Sequence, residues 1–155
     1  PLADKTLRAV AAYFLLECYS GIRFSDWHKF RVETIGTGRA LYLRTTKTGR
    51  RITIPLEDYK QLAWVVDYIT DNGIKFTYTI KTTNQYLKAL GAAVGIKKTL
   101  TTHVGRHTTA TLLLEYGMSK ESIAELLGVS LRIVDTYAKF TGHKLRLEFK
   151  RLGGL

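Results

Sequence analysis

Glycine punctuates this chain. Five of the runs of apolar residues at helical spacing close on one: Ser20-Gly21, Asn72-Gly73, Gly95, Gly117 and Gly128. A glycine just past a helix adopts the left-handed backbone that ends it, so the pattern divides the chain into short helices. The spacing predicts helices over 4–19 (with Leu7, Val10, Ala11, Phe14 and Leu15 on one face), 57–70, about 82–94, 103–116, 119–127 and 131–139. Ser25-Asp26 can cap a further short helix through Phe30, and Ser119 caps the helix it precedes. Residues 40–44 and 51–54 alternate instead, as strands do. Thr45-Thr46-Lys47-Thr48-Gly49-Arg50 joins them, which makes a hairpin with Lys47 at or near its tip, and Pro55 ends it. The fold class is therefore mainly α with a small antiparallel β-sheet or hairpin.

At 155 residues, the chain is long enough for one domain, 1–155, with its own core. It starts at Pro1, as a processed product or an excised fragment does. Hydrophobic residues at 45% and charged residues at 24% argue against disorder. The single cysteine, Cys18, excludes an intrachain disulfide and a cysteine-based zinc site, and it suits a reducing compartment. No stretch longer than eight residues lacks a charge, which excludes a membrane-spanning helix. The apolar run 9–16 follows Lys5 and Arg8, yet Glu17 and Cys18 come next with no small-residue cleavage site, so it reads as a domain helix.

Lysine and arginine number 24 against 13 acids, a formal charge of +11. An excess of that size on a small domain is the electrostatic footprint of a polyanion partner, with nucleic acid favoured over anionic membrane. Arg39, Arg44, Lys47, Arg50 and Arg51 form one acid-free cluster; Lys139, Lys144, Arg146, Lys150 and Arg151 form another, offset only by Glu148.

Three features bear on chemistry. His103 and Arg106 lie three apart and share a helix face, an arrangement that suits a phosphate, although a solvated helix face has the same pattern. Arg23 follows a helix end between apolar neighbours; partial burial there demands an anionic partner, which a structural ion pair to Asp26 also provides. Tyr137 stands on a late helix, where a tyrosine packs unless nearby cations lower the cost of phenolate.

Taken in order, Arg23 in Ser20-Gly21-Ile22-Arg23-Phe24-Ser25-Asp26, Lys47 on a hairpin, His103-Val104-Gly105-Arg106, and Tyr137 about thirty residues later resemble the tyrosine recombinase (phage integrase) family. The segment 102–111 is especially close to the family's second box, and the resemblance runs from about Leu7 to Lys139. It implies the catalytic-domain fold of that family. It also implies roles: Arg23 and Arg106 on the scissile phosphate, Lys47 as general acid, His103 assisting proton transfer, Tyr137 as nucleophile, and Asp26 as the acid that supports the first box. No cofactor and no metal are implied, because the phosphotyrosyl bond conserves the energy of the broken strand. The implied partner is double-stranded DNA, held by a homo-tetramer in the cytoplasm. An N-terminal DNA-binding domain is expected ahead of this C-terminal portion. A topoisomerase of the same chemistry (type IB-like) and a DNA-binding module that has lost catalysis are the alternatives.

One departure stands out. The family places a histidine or tryptophan after Leu-Gly, whereas Leu127-Gly128 is followed here by Val129, and the usual spacing back from Tyr137 falls on Gly128. The side-chain donor is missing, or His107 or His143 supplies it. The hairpin loop 45–49 carries no apolar anchor and is expected to be mobile without DNA. The segment 143–152 is amphipathic and basic, suited to docking on its own core or on a neighbour.

Overall fold

The computed structural model describes residues 4–138. Lys139, His143 and the basic segment 143–152 lie outside them. Six helices and one sheet follow in order: α1 (Lys5–Ser20), a 3-10 helix (Phe24–Lys29), β1 (Arg31–Ile35), β2 (Gly38–Arg44), β3 (Arg51–Pro55), α2 (Lys60–Asp71), α3 (Ile80–Ala93), α4 (Thr102–Glu115), α5 (Lys120–Leu127) and α6 (Leu131–Ala138). The expected mainly α architecture with a small antiparallel sheet is what forms.

The sheet has three strands in the order β1-β2-β3, all antiparallel, with Val32 opposite Leu41 and Leu41 opposite Ile54. The first strand was not anticipated. Its residues Arg31, Val32, Thr34 and Ile35 are exposed, so it lacks the buried alternate positions that mark a strand in sequence. On β2 and β3, Leu41, Leu43, Ile52 and Ile54 point into the core, as their alternation requires.

Helix boundaries move where side chains cap. Asp4 accepts the Thr6 amide at 2.7 Å to begin α1. Thr79 accepts the Thr82 amide at 3.2 Å, so α3 begins ahead of the expected position. Helix α2 begins only at Lys60, because Leu56 to Tyr59 form a turn closed by the Tyr59 amide on the Leu56 carbonyl. The Ser25-Asp26 pair does not cap a helix: the segment is a 3-10 helix whose preceding residue, Arg23, offers no side-chain cap.

The apolar core falls into two clusters. The larger gathers α1, the inner face of the sheet, α2 and α3 around Leu16, Trp27, Leu41 and Leu62, all essentially inaccessible. The smaller is formed by α4, α5 and α6 around Ala110, Leu113, Ile123, Leu127 and Val134. Helix α1 packs on α4, α2 and α3.

Gly21 is where the two halves meet. It closes α1 with φ at +68°, its amide on the Glu17 carbonyl at 2.8 Å. A Cβ there would lie 2.2 Å from Leu127 Cδ2 and 3.3 Å from Thr109 Cγ2, so the close approach as well as the backbone demands glycine. Gly21→Ala is expected to destabilise the fold by roughly 1–3 kcal/mol from overpacking, with the left-handed strain in addition. Gly73→Ala, whose added Cβ meets nothing within 4 Å at φ +58°, bears the backbone strain alone. Urea denaturation of the two variants should separate them, Gly21→Ala losing distinctly more.

Candidate active site

Arg106 reaches from α4 to the ends of two other helices. Its Nη1 donates to the Gly21 carbonyl, just past α1, and its Nη2 donates to the Leu127 carbonyl at the end of α5, at 2.7 Å. Arg23, two residues beyond Gly21, donates from Nη2 to the same Leu127 carbonyl at 3.4 Å and to Gly128 O at 3.3 Å. Two guanidinium groups distant in sequence thus meet on one turn. Burial lowers the Arg106 pKa from its ordinary value, and the like charge of Arg23 lowers it further; Glu17, Tyr137 and Asp26 act in the opposite sense. The ion pair weighed between Arg23 and Asp26 does not form: Arg23 turns to backbone carbonyls and Asp26 to the hairpin.

Tyr137, half-buried on α6, meets the ring of His107 edge to face, with centroids 4.7 Å apart at 86°. Partial burial lowers the His107 pKa, and Lys98 and His103 lower it further, which keeps the imidazole neutral near neutral pH. His103 is exposed on the first turn of α4, one turn before His107. Arg23, Arg106 and Tyr137 therefore come together with His103 on the adjoining helix face, while Lys47 stands exposed on the hairpin loop with no hydrogen bond of its own.

That loop is anchored by polar groups where apolar ones are lacking. Asp26, 1% exposed, accepts the Thr46 amide at 2.9 Å and the Thr46 hydroxyl on Oδ1. Lys29 Nζ donates to Thr46 Oγ1 at 2.6 Å, Thr45 and Thr48 share a 2.8 Å hydroxyl contact, and Arg44 Nε donates to Gly49 O at 2.9 Å. Asp26 thus links the segment after Arg23 to the residue before Lys47. Its geometry is that of a hairpin support.

Glu17 was missed by sequence reasoning. It sits 1% exposed on α1 against α4, and a Cβ on Gly105 would lie 2.7 Å from its Oε2, which has no hydrogen-bond partner. Burial pushes its pKa up to about 9, against a smaller lowering by Arg106, so the carboxyl is protonated at neutral pH. Its neighbour Cys18 is pushed up to about 12, chiefly by burial, and is an inert buried thiol. The available signal was the pairing of an acid within the apolar run of α1 with the bare glycine beside Arg106.

The acid-free basic cluster is not wholly free. Arg39 holds Asp67 at 2.7 and 3.3 Å and Glu57 at 3.5 Å, acids supplied from outside that stretch. Among the described residues no group of three His, Cys, Asp or Glu side chains could hold a metal ion, and no helix is long and apolar enough to cross a membrane.

The sequence profile of the Phage integrase family matches residues 3–144. The chain belongs to the phage integrase family. This integrase-family domain is 27% identical over 133 residues to the integrase of Staphylococcus phage L54a, covering 82% of the present chain and 36% of that protein. In structure it is similar to XerA recombinase, with a TM-score of 0.70 and 18% identity over 97% of this chain and 57% of that one. It is also similar to the XerH site-specific recombinase bound to palindromic difH substrate, with a TM-score of 0.65 and 18% identity over 97% of this chain and 47% of that one. These structures share its fold, the tyrosine recombinase catalytic-domain fold, and the chain spans between about a third and three fifths of such relatives.

The raised Glu17 pKa sets the sign of a pH effect. Between the ordinary 4.5 and about 9, the unfolded chain has released this proton while the folded domain keeps it. The residue's contribution to stability is therefore greatest below 4.5 and is lost as pH rises towards 9, by at most about 1.4 kcal/mol per pH unit. Glu17→Gln is neutral and of like shape, so its stability relative to the wild type should climb from pH 5 to pH 9. Urea midpoints across that range check it; a constant difference would mean that the carboxyl is ionised in place.

Proposed function

We propose that this integrase-family domain breaks and rejoins DNA strands through Tyr137, as part of a site-specific recombinase. The observation that carries the reading is the meeting of Arg23 and Arg106 on the Leu127 carbonyl beside the α6 that bears Tyr137. A carbonyl oxygen accepting two guanidinium groups occupies the kind of place a phosphate oxygen would take. Arginine provides permanent charge and paired donors, the requirement for a pentacoordinate phosphorane-like transition state.

In this reading the Tyr137 phenol oxygen attacks the scissile phosphorus, and the bond from phosphorus to the 5′ oxygen breaks. The phenol proton passes to His103, and Lys47 gives a proton to the departing 5′ oxygen, which leaves as a hydroxyl. The 3′-phosphotyrosyl bond stores the energy of the broken strand, so attack by another 5′-hydroxyl restores a phosphodiester with no cofactor or metal consumed. Asp26 holds the loop that carries Lys47. The charge of +11 supports double-stranded DNA as partner, as do two relatives captured on DNA: XerH on its difH substrate and the Tn1549 transposon integrase on a circular intermediate. A tetramer around two duplexes, with a further DNA-binding domain ahead of this portion, completes the proposal.

A second reading, a DNA-binding module that keeps the fold without the chemistry, rests on Gly128-Val129 in place of the usual histidine. One experiment separates the two. The domain is incubated with a pool of nicked duplexes of randomised sequence, in which a cleaved strand end diffuses away, and adducts stable to denaturant are collected. The wild type is expected to form an adduct, and Tyr137→Phe to lose it while retaining DNA affinity within about twofold, since only a hydroxyl is removed. An adduct of normal yield in Tyr137→Phe refutes the nucleophile; no adduct with the wild type favours the binding module.

A further inference from the structure

The turn that lacks the family's third donor is bordered by an arginine from another part of the chain. A Cβ added to Gly128 would lie 3.6 Å from Arg50 Nη1 and 3.8 Å from Arg23 Nη2, so both guanidinium groups face the same small space over this turn. Resting on the reading of the site given above, we propose that Arg50 contacts the scissile phosphate and supplies the donor that neither Gly128 nor Val129 can.

Several observations bring it there. Arg50 is the last residue of the hairpin loop, its amide donating to Thr45 Oγ1 at 3.1 Å and its carbonyl accepting the Thr45 amide at 2.8 Å. This doubly bonded backbone fixes the starting point of the side chain, which is only 34% exposed. The guanidinium has one acidic neighbour, Glu125 on α5, at 3.9 Å, the outer edge of an ion pair, and that carboxylate is 81% exposed. A pair so long and so wetted holds its arginine loosely. Arg50 is thus carried to the turn by a well-fixed backbone and left with donors to spare. Around Leu127 and Gly128, Arg23 and Arg106 donate to two carbonyl oxygens, and the Arg50 guanidinium stands over the same turn. The acids within reach are few: Glu17 is neutral, Asp26 is engaged with Thr46, and Glu125 lies outside. A phosphodiester bound at this turn relieves the crowding of like charge, and an arginine replaces an imidazole with a donor that is charged at every working pH.

The other candidates for the missing donor differ. His107 packs against the Tyr137 ring with the two planes nearly perpendicular. Arg50 instead arrives on the hairpin that also carries Lys47, so one loop would deliver both the leaving-group acid and a phosphate donor.

The test uses a duplex recovered from the randomised pool by wild-type trapping and resynthesised, with single-turnover adduct formation as the readout. Failure of the wild type to form any adduct overturns the strand-transfer reading itself, and with it this inference. With an active wild type, Arg50→Ala should slow adduct formation about 100-fold, the scale of a lost transition-state donor. Arg50→Lys should recover part of that loss. Glu125→Ala, which breaks the ion pair but leaves the arginine, should react at the wild-type rate or faster. On a substrate whose scissile phosphate carries a methyl in place of one non-bridging oxygen, the charge to be neutralised is gone, and the Arg50→Ala deficit should shrink to a few-fold. Arg50→Ala within twofold of the wild type overturns the inference. So does an equal loss in Glu125→Ala, which would make Arg50 a structural tie, or an undiminished deficit on the methylated substrate. Thermal melts of each variant, expected to match the wild type within a few degrees, exclude unfolding as the cause.

Discussion

A single guanidinium fastens the architecture of the site. Arg106 donates to carbonyls just past α1 and at the end of α5, so the segment bearing Arg23 and the turn before α6 are held at fixed distances from α4. Helix ends leave carbonyls without intrahelical donors, and an arginine with its donors spread in a plane serves two such ends at once. The same bonds bring the chain's cationic groups to one place. In the proposed reaction, a phosphate oxygen would compete directly with the backbone for these donors.

The packing beneath explains why that guanidinium can be so placed. Gly105 gives α4 no side chain on the α1 side, and Glu17 fills the gap as an uncharged carboxyl. Thr109 Oγ1 donates to the Glu17 carbonyl at 2.6 Å, adding a second link between the two helices one turn further along. Arg106 projects from a helix pressed closely on α1, and its reach to Gly21 follows from that closeness.

Much of this was legible in the sequence where residues act locally. Glycines marked helix ends correctly at Gly21 and Gly128 because the left-handed backbone is a property of the residue itself. The hairpin was legible in the alternation of 40–44 and 51–54, but β1 was not, since an edge strand with exposed residues carries no burial signal. Arg23, Arg106 and Tyr137 were found through motif order, and the structure brings them together. The burial of Glu17 and the position of Arg50 over the α5–α6 turn were not foreseen. The first is recognisable only against the glycine of a helix remote in sequence, and the second only once the hairpin is folded back over the α5–α6 turn. Neither relation has a local signature.

The division of the core has a mechanical consequence. Helices α5 and α6, eight residues each, are held by the smaller apolar cluster, in which Leu127 and Val134 join them to α4. Sheet, α1, α2 and α3 share the larger one. Leu126 of α5 also packs against the larger cluster, and Lys120 on α5 pairs with Asp135 on α6, so the pair is joined to the rest through a narrow apolar seam and a few polar ties. Tyr137 thus stands on a short helix that leaves α5 through the Leu127-Gly128 turn. The arginine bonds to the Leu127 and Gly128 carbonyls add a polar tie to that turn, so the position of the phenol depends on the same guanidinium groups that gather around it.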